Sequence, residues 1–371
     1  MNRVGWLDTM RVAATVLVIF SHYAYIAGQS PSVQYFFEKY IFHIGGIGVI
    51  IFFAVSGYLA ANSLEHSKSI LEFYRRKIIR IAIPFAAAYL FMSLLLLLLG
   101  IFNLQIAERS PMSWLFHQGG SANAFLIGMT PICMDINLTH YFNIHSYLFV
   151  GEWFIGTILW LYLISPFLYK CLKKNWFIFS IIFLIMAYWI SNTLKVGNMA
   201  MFFGIRIPQF SFGMILFLLK DSISKNSSLI LKFMTILGIT FIGYGLIFSS
   251  HQNIISKIIF GAVPYGVIHY SLAAALTTYF VYILVKYLNE NFSEITSRFN
   301  SFSNISYVAM LIHHVIIYRL NDIYHFTTLT KSGVFFFFLL VLLTTIFLSK
   351  QILKIYKPVE ENLIKRRWYF G

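Results

Sequence analysis

Apolar residues in this chain fall into long unbroken runs, without the alternation of a half-buried strand. A helix needs about 20 residues to cross the hydrocarbon core of a bilayer. Ten runs of that order are present: Trp6–Ile26, Ile41–Ala61, Ile78–Gly100, Gly151–Lys170, Trp176–Asn192, Met199–Leu219, Leu229–Phe248, Ile258–Lys286, Asn304–Arg319 and Val334–Leu353. Only helices and closed barrels satisfy the backbone in lipid, and continuous runs select helices. The pattern predicts an all-α fold: a polytopic transmembrane bundle of about ten helices, forming a single domain over residues 1–371. A long outer loop is expected at about 101–150 and a cytoplasmic tail at about 354–371.

Composition agrees with that reading. The 371 residues are 59% hydrophobic and 11% charged, with a mean hydropathy of +0.75. Soluble domains carry about 25% charged residues. A soluble enzyme, a secreted disulfide scaffold and a disordered tail are therefore excluded as overall classes. Of the 28 Lys and Arg, twenty fall on one set of alternate connections and six on the other, with Arg206 and Lys232 inside runs. Such a bias marks the cytoplasmic side. It puts both termini in the cytoplasm and explains the net charge of +15 without a nucleic-acid partner; membrane lipids are the expected surroundings, in the cell's inner (cytoplasmic) membrane. Cys133 and Cys171 fall on opposite sides and suggest neither a disulfide nor a metal site, and no metal is expected. Asp8 and Arg11 inside the first run, with no small-residue cleavage pattern behind it, point to a retained span, not a signal peptide.

Ionisable groups at membrane depth cost about 2.5–3.5 kcal/mol each on insertion scales, so each is a functional candidate. Arg11 and His22 are eleven residues apart, within about 20° of three full turns, and so share one helix face with roughly 16 Å between them along the axis. A histidine in a span commonly serves as a packing hydrogen-bonder; the arginine on its face points further. Glu152, Arg206 and the pair His313 and His314 fall at the same outer depth as His22. Adjacent helical residues point about 100° apart, so at most one of His313 and His314 is expected to face a given pocket. At the inner end, Arg75, Arg76, Lys77 and Arg80 crowd the start of the third run. They form either a membrane anchor or a grip for phosphate at the cytoplasmic mouth. Ser56 precedes Gly57 inside the second run, where small residues commonly allow close helix packing.

Several stretches carry a resemblance. Trp6–Arg11 (WLDTMR) with Ile19–His22 (IFSH) gives an Arg-x10-His spacing. Phe52–Tyr58 (FFAVSGY), Phe73–Pro84 (FYRRKIIRIAIP), Gly151–Gly156 (GEWFIG), Arg206–Gly213 (RIPQFSFG) and Ile305–His314 (ISYVAMLIHH) follow in order. Together they resemble the acyltransferase-3 family of integral membrane O-acyltransferases, over essentially the whole chain. Two features depart from that family. Lys77 stands where the third helix usually has an arginine, which keeps the charge but loses the bidentate fork, and Arg76 is the alternative grip. The fused extracytoplasmic domain of many relatives is not expected here after the tenth run.

The resemblance implies transfer of an acyl group, usually acetyl, from cytoplasmic acyl-CoA (acetyl-CoA) to a hydroxyl of a carbohydrate or lipid-linked glycan. It marks His22 as the catalytic histidine and places Arg11, Lys77 and Arg80 on the acyl-CoA side. In the mechanism expected, the nucleotide stays at the inner mouth, the thioester reaches His22, and His22 takes the proton of the attacking hydroxyl. Glu152 then orients the imidazole or binds sugar. Arg206 or His313 stabilises the oxyanion. A covalent acyl-histidine is the alternative route. Ser56 as a nucleophile lacks an identifiable base partner. A transporter or flippase of lipid-linked sugars, and a scaffold that has lost the chemistry, are the rival classes.

Overall fold

A computed structural model describes residues 5–37, 44–100, 149–193, 202–221, 279 and 281–365. Among these the long elements are all helices: α1 Gly5–Ala27, α2 Ile44–His66, α3 Ile70–Leu99, α4 Glu152–Thr193, α5 Phe203–Leu218, α6 Ser293–Asn300, α7 Ser303–Tyr324 and α8 Lys331–Lys365. Residues 281–291 are helical as well. Among the described residues, five helical stretches have the length and apolarity to cross a membrane, and α5 is a shorter apolar helix. The runs expected at Leu229–Phe248 and over most of Ile258–Lys286 lie outside the described residues, as do Cys133 and all of the expected outer loop except its last two positions.

Three element ends differ from the hydropathy reading, each for a local reason. α3 begins eight residues earlier than its apolar run. Ser69 caps it, its hydroxyl accepting the Glu72 N–H at 3.1 Å, and Glu72 accepts the Lys68 N–H at 2.9 Å. The first bond satisfies an orphan donor of the first turn, the second ties back the residue before the cap, and together they draw the basic cluster into the helix body. The fourth and fifth runs join as α4, broken at Asn175 (φ −158°, ψ 95°). The Asn175 side chain accepts the Ile178 N–H at 3.1 Å and so starts the second half. α8 continues to Lys365 through the stretch expected as tail. One Arg75 nitrogen donates to the carbonyls of both Leu363 and Ile364 at 3.0 Å, satisfying acceptors that a helix end leaves open.

The packing pairs form a closed circuit. α1 lies against α2, α2 against α5, α5 against α4, α4 against α3, α3 against α8, α8 against α7, and α7 against α1. The tightest seam is α2 on α5. A Cβ on Gly57 would overlap the Phe210 carbonyl, and one on Gly213 would overlap the Ala54 carbonyl. Small residues let two backbones approach when no hydrophobic force between helices is available in lipid. The outward faces are apolar: Phe335, Phe336, Leu343 and Phe347 of α8 are all exposed. At the end away from the basic cluster, the Tyr23 hydroxyl donates to the Val334 carbonyl at 2.6 Å and ties α1 to the start of α8.

Candidate functional site

The circuit encloses a cavity of about 320 Å3 at the end where the basic residues gather. Arg11 of α1 and Arg76, Lys77 and Arg80 of α3 all line it. α3 places its three by helical geometry. Taking Arg75 as origin, Arg76, Arg80 and Lys77 fall at about 100°, 140° and 200°, so they share one arc and Arg75 points elsewhere. The sequence cluster therefore divides. Three side chains face the cavity, and the fourth ties down the end of α8.

Lys77 is the deepest of these cations, 6% exposed. Its ammonium donates to the Leu59 carbonyl at 3.1 Å and lies 4.7 Å from the centre of the Tyr162 ring. A buried charge needs such partners. Arg76 is half-buried and paired with Glu72 at 2.6 Å. Arg11 is paired with Asp8 at 3.5 Å. Arg80 is exposed. The opposite wall comes from Tyr307 of α7 and from Tyr356, Lys357 and Glu360 of α8, with Lys357 and Glu360 paired at 3.0 Å. Phe52, Phe154, Ile158 and Pro84 make the inner lining apolar. The result is a concave site with cations at the mouth and hydrocarbon deeper in, which suits a ligand with an anionic head and an apolar arm.

Ser56 also lines this cavity, within hydrogen-bonding reach of the Tyr162 hydroxyl. Its neighbour Gly57 makes the close α2–α5 contact. The two readings of this dipeptide hold side by side, because adjacent helical residues point about 100° apart.

The imidazoles form a second cluster. His22 lies against both members of the α7 pair, with ring centroids 5.2 Å from His313 and 3.9 Å from His314. Both members of the pair therefore approach His22, while neither lines the basic cavity. α1 and α7 are neighbours, and the His313 and His314 rings themselves lie 4.3 Å apart, so the three imidazoles form a triangle. His313 is 2% exposed. Its Nδ1 is 3.2 Å from the Ala309 carbonyl oxygen, and its Nε2 has no hydrogen-bond partner among the described residues.

A seam between α1 and α7 links the two clusters. Ser306 lines the cavity and stands seven residues before His313, about 20° short of two turns, so both occupy one face of α7. Arg11 and His22 have the matching relation on α1. Between the two levels, the Thr15 hydroxyl lies 2.8 Å from the Arg11 carbonyl and 3.4 Å from that of Ser306. The lining residues reach Ser306 and Phe52 but do not include His22.

Arg206 does not join either cluster. It is 4% exposed, donates to the Gln209 side chain at 3.1 Å and places its guanidinium 5.3 Å from the Phe53 ring centre. Glu152 opens α4, and its side chain lies outside the described residues. Sequence reasoning missed His314 as a partner of His22, and it missed Tyr162, Tyr307, Lys357 and Glu360. Lys357 and Glu360 carried a usable signal, a basic–acidic pair three residues apart directly after an apolar run. The tyrosines carried none.

A family profile described as an acyltransferase domain matches residues 4–349. The O-acetyl transferase of Shigella phage Sf6 is 37% identical over 81 residues, covering 22% of this chain and 23% of that protein. No solved structure matches. A basic cavity, an imidazole cluster above it and a profile that spans nearly the whole chain agree: this integral membrane protein belongs to the acyltransferase-3 family.

Proposed function

We propose that the chain moves an acyl group, acetyl in the simplest case, from cytoplasmic acyl-CoA to a hydroxyl of a cell-surface or lipid-linked glycan. The observation that carries this reading is the convergence of Arg11, Arg76, Lys77 and Arg80 on one cavity with an apolar interior. Phosphates are bound by such charge-assisted hydrogen bonds. The name of the phage relative, an O-acetyl transferase, favours acetyl and oxygen as donor group and acceptor atom.

In this reading the phosphates of CoA rest among Arg11, Lys77 and Arg80, and the pantetheine arm runs along the α1/α7 seam. The arm spans roughly the 16 Å of helix between Arg11 and His22. There His22 accepts the proton of the acceptor hydroxyl while its oxygen attacks the thioester carbonyl. The carbon–oxygen bond forms, the carbon–sulfur bond breaks, and the proton passes from the imidazole to the departing thiolate. Because His22 is not part of the cavity lining, the arm must part side chains of the seam to reach it.

Purified protein in nanodiscs, given acetyl-CoA labelled in the acetyl group and a lipid-linked glycan, tests the reading. Release of free CoA and label on the glycan are expected, both lost in His22→Ala. Failure to bind acetyl-CoA, or an undiminished rate in His22→Ala, overturns it. The first of these outcomes is what a sugar carrier gives.

A further inference from the structure

We infer that His22, His313 and His314 form a binding site for a divalent transition ion of the zinc class. One ring nitrogen from each of the three lies within 4.8 Å of those of the other two. A tetrahedral ion with about 2.0–2.1 Å bonds to imidazole needs ligand nitrogens about 3.3 Å apart. Rotation of the His22 and His314 rings toward His313 would close that gap.

His313 supplies the second, independent observation. It is 2% exposed, and its Nδ1 stands beside the Ala309 carbonyl at 3.2 Å. A proton on Nδ1 donated to that carbonyl leaves the Nε2 lone pair bare, and Nε2 has no hydrogen-bond partner among the described residues. Metal-ligating histidines characteristically give their other ring N–H to a carbonyl or carboxylate, which fixes the tautomer. A buried acceptor without a partner is destabilising, and a bound cation removes that cost. Three imidazoles also leave a four-coordinate ion one open position. The borderline softness of imidazole favours zinc, cobalt, nickel or copper over magnesium and calcium.

The site has a consequence for the reaction, and this part rests on the proposed role of His22 as base. A coordinated imidazole has given up the lone pair that would take the hydroxyl proton. Metal occupancy and base catalysis exclude one another at His22, so the ion acts as an inhibitor of transfer.

Two measurements test this, and they fail separately. The first uses no substrate: chelator-stripped protein in nanodiscs is titrated with Co2+ alone and followed by visible absorption. A saturable band of tetrahedral intensity is expected, without the near-ultraviolet thiolate transition that Cys133 or Cys171 would add. It should vanish in His313→Gln and in His314→Gln, both checked for folding by size-exclusion elution, and persist in His325→Asn, which keeps a left-handed helix cap. No saturable band, or a band that survives both glutamine variants, overturns the site and leaves the acyl-transfer reading untouched. The second measurement adds Zn2+ to the transfer assay. Suppression reversed by a chelator, and weakened in His314→Gln, supports the exclusion. Full transfer by protein shown to be metal-loaded overturns the exclusion, and with it the assignment of His22 as base.

Discussion

The imidazole of His22 stands edge-on to that of His314, ring centroids 3.9 Å apart and planes at 76°, while Arg11 on the same face of α1 lines the basic cavity. One helix thus carries a group at each end of the proposed path of the thioester. Replacement of His22 should leave the membrane level of the protein unchanged and lower acyl transfer by about 10²–10⁴-fold, the usual contribution of a positioned base. Immunoblots of membranes alongside an acetylation assay check this.

The cations of the cavity should act on donor affinity. Arg80→Ala and Lys77→Met each remove a charge-assisted hydrogen bond, about 1.5–3 kcal/mol, so KM for acyl-CoA should rise roughly ten- to hundredfold with kcat nearly unchanged. Lys77→Met has the smaller effect on folding, because it replaces a buried ammonium with an unbranched apolar side chain of similar length. A fall in kcat at unchanged KM would move these residues from binding to chemistry.

Ser56 separates two roles by the same split. As a lining residue hydrogen-bonded near Tyr162, its replacement by alanine should raise KM for acyl-CoA a few-fold and spare kcat. A nucleophile would lose orders of magnitude in kcat. Steady-state kinetics at saturating donor decide between them.

Gly57→Ala should destabilise the bundle without touching the cavity. The new methyl group meets the Phe210 carbonyl, and backbone cannot step aside as a side chain can. Overpacking of this kind costs about 1–3 kcal/mol, read as a lower melting temperature in detergent. Gly213→Ala, which meets the Ala54 carbonyl from the other side of the seam, should do the same.

Arg75 makes a different kind of link. Its removal leaves the Leu363 and Ile364 carbonyls without their donor, so the last turns of α8 should fray. Limited proteolysis of Arg75→Ala is expected to cut after Leu353 faster than in the parent protein. Because Tyr356 and Lys357 form one cavity wall, acyl-CoA affinity should fall alongside. Equal cleavage rates would show that lipid or other packing holds this segment.

The order of helices, their membrane-spanning character and the face shared by Arg11 and His22 were all legible in the chain, because they follow from local periodicity and from a solvent that tolerates no open backbone. The start of α3 was not: hydropathy places it eight residues late, because the Ser69 cap that starts it stands outside the apolar run. Other features had no local signature. Ser56 and Arg80 share a wall only because α2 and α3 stand in one circuit. His314 meets His22 only because α1 and α7 are neighbours, 291 residues apart in sequence at Thr15 and Ser306. Residue types and spacing determined which groups carry charge at which depth. Which of them face one another was decided by helix packing, since in lipid the choice of partner helix rests on small-residue contacts and polar matches between segments far apart in the chain.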